Sequence, residues 1–245
     1  MIKQAMEYLL ETAGVRIEKV NDRPYSTQPL YAVKEPTAVG ITVNSLSGLV
    51  DYIKSEFDGD HPLMIHVENP KNVSCLTKVN NDFNRSIFME AKALTPQFSF
   101  ERFHDPENFN ISLQSAFVRN DDCEAMLKVV GNVRDETINT YKDDGVSQTA
   151  VVQTGASRAN AVVPNPVMLK PYRTFVEVEQ PESPFVFRMQ SGPKCALFEA
   201  DGGAWKLEAI ENIKKYLVEK LAEEIENKKY LSLRNSNLYN FQLHL

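Results

Sequence analysis

Three helices are predicted in the first half of the chain, where apolar residues recur three and four positions apart. The first occupies residues 2–13 and ends at Gly14. The second starts after Asn44 or Ser45, either of which can cap it, and the third starts after Asp105, another good helix cap. The predicted buried faces of the second and third helices are Leu46, Leu49, Val50, Ile53 and Phe57, and Phe109, Leu113, Ala116 and Phe117.

Strand-like segments lie between these helices. Residues 38–43 predict a strand, and residues 62–94 predict a three-stranded antiparallel meander, because apolar segments rich in β-branched residues are separated there by Asn-Pro and Asn-Asn-Asp turns. The proline-rich residues 21–36 predict an extended connector with a short edge strand near residues 30–33. The first half therefore reads as a β-α-β-β-β-α sequence of elements after the N-terminal helix.

Strands predominate in the second half, up to a long helix that starts after Gly203. The turns between the strand-like segments are too short for helical crossovers, so a largely antiparallel sheet is expected. The apolar stripe of the helix should lie on that sheet. The segments are residues 125–133, 137–141, 149–155, 167–179, 184–189 and 195–200, and the stripe is Leu207, Ile210, Ile213, Leu217, Leu221 and Ile225.

Together these elements predict an α+β fold with largely antiparallel sheets, flanking helices and a long C-terminal helix. A chain of 245 residues, 42% of them hydrophobic, can bury one large core or two small ones. We divide it into residues 1–24 (N-terminal helix and connector), 25–133 (α+β region), 134–226 (β-rich region with the C-terminal helix) and 227–245 (apolar tail).

The apolar tail is the first candidate for a contact between subunits. A leucine-rich segment that is not tied down lowers solubility, so we expect it to pack back on its own chain or to act as an inter-subunit arm. The second alternative makes the protein a homo-oligomer. The contact residues would be Leu231, Leu233, Leu238, Tyr239, Phe241 and Leu243.

Composition and charge exclude several classes of protein. The net charge is −6 and the 27 Lys and Arg residues are spread along the chain, so the overall charge does not favour nucleic acid or a membrane surface as a partner. The N-terminal helix is too polar for a signal peptide or a transmembrane span. Three widely spaced cysteines fit a reduced intracellular protein. We therefore expect a cytoplasmic protein with no membrane partner.

Patterns for catalysis or metal binding are weak. His66 shares a predicted strand face with Glu68, a pair that could bind a metal, but an ordinary half-buried histidine is the favoured interpretation. Cys123 is flanked by carboxylates, which raise the pKa of a thiol and disfavour a reactive thiolate. The acidic clusters fit turns better than cation sites. The sequence thus predicts no catalytic residue, no metal and no cofactor, in a protein that is not an enzyme.

A Gly-Gly turn before the long helix is one of two candidate binding sites. Gly202 and Gly203 lead from a strand into a helix, as phosphate loops do, and Trp205 follows in the first turn. Asp201 precedes them, however, and as a helix cap it would repel a phosphate. A structural corner is the favoured interpretation, with a small-ligand or nucleotide pocket as the alternative.

The other candidate is a stretch in which basic and aromatic residues alternate. Lys170, Tyr172, Arg173 and Arg188 lie on predicted adjacent strands, an arrangement that can bind single-stranded nucleic acid by base stacking and phosphate contacts. Three glutamates in the same hairpin oppose this, and alternating aromatic residues in a strand usually form core. A nucleic-acid surface and a packed hairpin both stay open. The interleaved rings are Phe175, Phe185 and Phe187.

Residues 165–192 and 195–217 resemble the YfdQ-like family of bacteriophage and prophage proteins of unassigned function. Shorter similar stretches lie between residues 40 and 117, and the resemblance covers roughly residues 25–226. It implies a phage or prophage gene expressed in a bacterial cytoplasm, and it implies no catalytic residues. The distinctive blocks, PYRTF after Lys170 and LFEADGGAW, can be a fold signature or a site.

Three functions are consistent with these observations. The leading hypothesis is a non-enzymatic phage or prophage protein that acts by self-assembly or binding, as a homo-oligomer that can be large. A second is a nucleic-acid-binding accessory protein for phage replication or recombination, acting through the basic and aromatic stretch. A third is a small-ligand or nucleotide-binding protein that sequesters its ligand at the Gly-Gly turn.

Overall fold

Six helices and thirteen strands alternate along the described residues of the computed structural model, and their arrangement confirms the predicted α+β class. The structure describes residues 2–12, 14, 16–27, 34–59, 62–131, 149–154, 157–162, 165–190, 192, 194–226 and 230–233. The helices are α1 (Ile2–Thr12), α2 (Leu46–Ser55), α3 (Pro106–Ala116), α4 (Asp121–Gly131), α5 (Trp205–Lys220) and α6 (Ala222–Glu226). The strands are β1 (Ile17–Val20), β2 (Arg23–Ser26), β3 (Ile41–Val43), β4 (Leu63–Asn69), β5 (Asn72–Thr77), β6 (Ile87–Lys92), β7 (Phe117–Val118), β8 (Thr149–Thr154), β9 (Ser157–Val162), β10 (Val167–Pro171), β11 (Ser183–Gln190), β12 (Lys194–Glu199) and β13 (Tyr230–Leu233).

The first large sheet has the strand order β13-β4-β5-β6-β3. Its centre is the predicted antiparallel meander, β4 to β6, and β13 and β3 add parallel strands at its two edges. Alternate residues of β4 are buried, as expected for a strand with one face on the core. Helix α2 packs against β6 and α5 against β4. We call the resulting cluster the first core; it includes Leu46, Leu49, Ile53, Leu63, Ile65, Val67, Val73, Cys75, Ile213 and Leu217.

The second large sheet is antiparallel, with the strand order β12-β11-β10-β7. Helix α4 packs against β10 and α3 against β12. Asp105 caps α3 as predicted, because its carboxylate accepts a hydrogen bond from the backbone N–H of Asn108 at 2.9 Å. We call the cluster between these elements the second core; it includes Phe109, Leu113, Phe117, Met126, Val167, Leu169, Phe185, Phe187 and Leu197.

The segment 172–182 connects the two cores. It follows β10 of the second sheet, but its Phe175 and Val178 are buried in the first core. Glu177 accepts hydrogen bonds from the backbone N–H groups of Leu46 and Ser47, at 2.8 and 3.2 Å, and so satisfies donors at the start of α2. Each core contains residues from before and after position 133, where the sequence-based division separates the α+β region from the β-rich region.

Two predicted strands are wrong. Residues 125–133 were expected to form a strand, but residues up to Gly131 belong to α4. Asn120 accepts a hydrogen bond from the backbone of Cys123 at 2.8 Å and starts the helix. The β-branched residues that suggested a strand fall on a helical stripe, so packing overrides their intrinsic preference. The predicted strand 167–179 ends at Pro171 because the chain turns into the first core.

Other differences concern single residues and neighbouring segments. Phe57 is 78% exposed because α2 ends at Ser55, and Leu207 is 72% exposed because α5 turns it away from the sheet. A β1–β2 hairpin occupies the start of the predicted connector. The predicted strand 137–141 and edge strand 30–33 lie outside the described residues. In the tail, residues 230–233 pair with β4 of the same chain, whereas Leu238, Tyr239, Phe241 and Leu243 lie outside the described residues.

Candidate ligand site between the two cores

Arg173 is the centre of the candidate site, and the loop that carries it is fixed by Gln180. The Gln180 side-chain oxygen accepts hydrogen bonds from the backbone N–H groups of Arg173 and Thr174, at 3.0 and 3.3 Å. Its side-chain nitrogen donates to the carbonyls of Phe175 and Val178, at 2.9 and 3.2 Å. One buried amide thus satisfies four backbone groups of a loop that has no strand partner.

Arg173 is 5% exposed, and its guanidinium group contacts a carboxylate, a hydroxyl group and an aromatic ring. Nη1 donates to Oε1 of Glu199 at 2.8 Å, and Nη2 donates to Oγ of Ser183 at 2.6 Å. Its carbon Cζ lies 4.1 Å from the centre of the Trp205 ring, in cation–π contact. Burial lowers the pKa of Arg173, and the hydrogen bond to Glu199 opposes that change.

Asp201 links Arg173 to the Gly-Gly turn. Its Oδ2 accepts hydrogen bonds from Oγ of Ser183 and from the backbone N–H of Trp205, both at 3.1 Å, and its Oδ1 accepts from Gly203 N–H at 2.9 Å. Burial raises the pKa of Asp201, but these hydrogen bonds outweigh it and the pKa falls below its usual value. The N-cap residue of α5 is Ala204 and not Asp201, but the Asp201 carboxylate accepts hydrogen bonds from backbone N–H groups just before and at the start of the helix, where a phosphate loop would bind its ligand.

The two glycines serve the geometry of this turn. Gly202 and Gly203 have φ angles of +61° and +84°, in the left-handed region that glycine adopts without strain. With these angles the chain turns from β12 into α5 within five residues, 200–204. The turn thereby places the Trp205 ring against the Arg173 guanidinium.

A cavity of about 530 Å³ adjoins this network, between residues of the two sheets. The two candidate motifs of the sequence, the basic stretch and the Gly-Gly turn, meet in its wall through Arg173 and Trp205. Most of the remaining lining residues come from the β4–β5 turn and from the segment after β6. The lining residues are Asn69, Pro70, Lys71, Thr95, Pro96, Gln97, Phe98, Phe100, Ala116, Pro171, Tyr172, Arg173, Glu199, Trp205 and Lys206.

Two buried N–H donors, on residues that also line the cavity, lack an acceptor. Nε of Arg173 and Nε1 of Trp205 are both buried, and neither has a hydrogen-bond partner among the described residues. Arg173 and Trp205 are 5% and 9% exposed, so more than nine tenths of each residue is out of solvent. An unpaired buried donor costs about 1–3 kcal/mol, and such donors are rare in folded proteins.

The lining is positively charged although the whole chain is acidic. It contains three cationic residues, Lys71, Arg173 and Lys206, and one carboxylate, Glu199, which is paired with Arg173. Among the described residues no carboxylate forms an ion pair with Lys71 or Lys206. The cavity therefore offers two cationic groups that no carboxylate of the described residues neutralises.

The phenylalanine rings of the basic and aromatic stretch do not form an exposed stacking surface. The rings of Phe175, Phe185 and Phe187 are at most 1% exposed and cannot stack on bases. Lys170 is paired with Glu179 at 3.5 Å, while Arg188 donates to the carbonyl of Phe187 at 3.1 Å. The alternating aromatic residues form core, which was the other interpretation of the pattern.

The three cysteines lie in environments that keep them protonated. Burial raises the pKa of Cys75 and of Cys195 to about 12. Burial also raises the pKa of Cys123, and Glu124 adds to the effect while Arg119 opposes it. In the described part of the chain, no three residues of the metal-ligating types come together.

Half of this site has no local signal in the sequence. Lys71, Phe98, Phe100 and Lys206 reach the cavity from segments that sequence reasoning assigned to turns, loops and a helix.

The chain matches no protein-family model, no curated protein and no solved structure. Among the described helices, none has both the length and the apolar character that crossing a bilayer requires.

Proposed function

We propose that this protein binds a small organic molecule in the cavity between its two cores, and that it acts by binding and not by catalysis. The observation that carries the proposal is that one cavity wall combines the Arg173–Trp205 contact with two lysines, Lys71 and Lys206, that have no carboxylate partner among the described residues. A ligand that binds these groups in the folded state, and not in the unfolded chain, stabilises the fold.

The size and lining of the cavity support the same function. Its volume of about 530 Å³ lies within the range of small-molecule sites, roughly 300–1,000 Å³. Eight of the fifteen lining residues are aromatic, proline or alanine and seven are polar or charged, so the wall offers a ligand both apolar contact and polar groups that can fix its orientation. No general acid, general base or nucleophile is needed for this role.

The proposal is tested by a variant that fills the cavity. Thr95 lines it and Leu94, its neighbour, does not and is 71% exposed. Native mass spectrometry of wild-type protein purified from cells is expected to show a bound small molecule, which Thr95→Trp loses and Leu94→Trp keeps. A ligand retained by Thr95→Trp, or none in wild-type protein, would contradict the proposal.

The phage or prophage origin implied by the resemblance remains a proposal. It is compatible with a binding protein, because sequestration of a host metabolite needs affinity and no chemistry. The two sequence blocks that carry the resemblance contain Arg173 and Trp205, the residues that meet in the cavity wall. This proximity favours the interpretation of the blocks as a site together with its supporting fold.

We propose self-association as a second function, on the basis of α1. Its Met6 and Leu9 are 57% and 66% exposed, so this apolar side of the helix is uncovered in a single chain. A second copy of the chain could cover it.

Light scattering tests this second proposal. Wild-type protein is expected to exceed the 27.8 kDa of one chain, and the double variant Met6→Glu with Leu9→Glu to fall to that mass. Ile111→Glu with Val176→Glu adds the same charge at exposed positions elsewhere and should stay associated. A monomeric wild-type protein, or an unchanged mass in the α1 variant, rejects the proposal.

A further inference from the structure

Lys71 and Lys206 approach the cavity from different parts of the fold. Lys71 lies in the turn between β4 and β5, and its Nζ donates to Oγ1 of Thr95 at 3.1 Å. Lys206 lies in the first turn of α5, with its Nζ 5.9 Å from the centre of the Trp205 ring. Because both ammonium groups lack a carboxylate partner among the described residues, they are available to an anion at the cavity.

The carboxylate in the lining does not cancel this charge. Glu199 accepts the hydrogen bond from Arg173 Nη1 at 2.8 Å, so its charge is already compensated within the wall. The four ionic groups of the lining leave an excess of two positive charges. Within about 8 Å, charges of this kind attract an anion at physiological ionic strength.

Aromatic rings line the cavity near these charges. Phe98 and Phe100 contact each other edge to face, with ring centres 4.8 Å apart, and Tyr172 adds a third ring to the lining. Rings of this kind pack against a flat apolar group by stacking or by edge contacts. The lining thus combines an apolar surface with cationic groups.

We infer that the ligand is an organic anion that joins a flat aromatic body to a carboxylate or phosphate group. This inference rests on the proposed binding function and specifies its ligand class. Lys71 and Lys206 hold the anionic group by charge-assisted hydrogen bonds. The aromatic body lies against Phe98, Phe100 and Tyr172.

Matched pairs of probes test the charge requirement. Indole-3-acetate is compared with neutral indole-3-acetamide, and adenosine monophosphate with neutral adenosine, by titration calorimetry at low salt. The anionic member of at least one pair is expected to bind about 10-fold or more tightly than its neutral counterpart, in line with the strength of charge-assisted contacts. The pair that shows the difference identifies carboxylate or phosphate as the anionic group.

Two double variants place the effect at the cavity. Lys71→Gln with Lys206→Gln should abolish the difference between anionic and neutral probes. Lys54→Gln with Lys215→Gln removes the same charge from exposed positions outside the lining and should preserve it. Equal binding of both members of each pair, binding of no probe, or a neutral molecule in the native mass spectrum overturns the inference. A neutral bound molecule lost on Thr95→Trp would leave the binding function itself intact.

Discussion

Replacing Arg173 by Met is expected to lower the free energy of unfolding by about 3 kcal/mol. Methionine fills much of the same space but leaves Glu199 without its cation and Ser183 without its donor. Breaking a buried ion pair from one side costs about 3–5 kcal/mol, and the partial exposure of the Glu199 side chain places this case at the lower end. Urea unfolding followed by circular dichroism measures the loss.

Two variants serve as controls for Arg173→Met. Arg173→Lys keeps the charge but cannot donate to both partners and stack on Trp205 in one geometry, so an intermediate loss is expected. Arg102→Met removes an exposed arginine and should change stability by no more than about 0.5 kcal/mol. If Arg173→Met were as stable as Arg102→Met, the guanidinium network would not hold the loop as described.

Replacing Gln180 by Met should be at least as damaging, with an expected loss of about 4 kcal/mol. The substitution removes one donor group and one acceptor group that together serve four buried backbone groups of residues 173–178. The carbonyl of Phe175 keeps its hydrogen bond from the N–H of Val178 at 3.3 Å, so three of the four groups lose their partner. Each unsatisfied buried group costs about 1–3 kcal/mol, and relaxation of the loop recovers part of the sum. The same urea experiment reports the change.

Gln190→Met is the matched control, because Gln190 is exposed at the end of β11. It should unfold at the wild-type urea concentration. Gln180→Glu keeps the two acceptor contacts but loses both donor contacts, and a carboxylate repels the carbonyls of Phe175 and Val178. We expect it to be destabilised as well. A Gln180→Met protein with wild-type stability would refute the assignment of these hydrogen bonds.

Local signals in the sequence account for the elements that were predicted correctly. Asp105 and Ser45 indicate helix starts because the side chain of each accepts a hydrogen bond from a backbone N–H group three residues further along the chain. The β4–β6 meander follows from short polar turns between apolar runs. Helix α4 was mistaken for a strand because adjacent valines favour strands locally, while the burial of Cys123, Met126 and Val130 is decided by packing across the second core.

The sequence predicts two separate parts of the candidate site but not the contact between them. Arg173 and Trp205 were each singled out, in two separate motifs, but their contact depends on a loop that leaves its sheet at Pro171. That departure is fixed by Gln180, whose role has no sequence signature. Lys71 and Phe98 reach the cavity through long-range packing that residue spacing does not encode. The sequence alone therefore does not predict the positive charge of the lining, because residues far apart in the chain form it.

The position of Trp205 also determines which part of the protein its intrinsic fluorescence reports on. It is the one tryptophan of the 245 residues, so indole emission arises from a single place. That place is the cavity wall, where the ring lies against a guanidinium group. The protein thus carries its own fluorescent label at the proposed site, and both the integrity of the Arg173 network and the arrival of a ligand can be followed without an added dye.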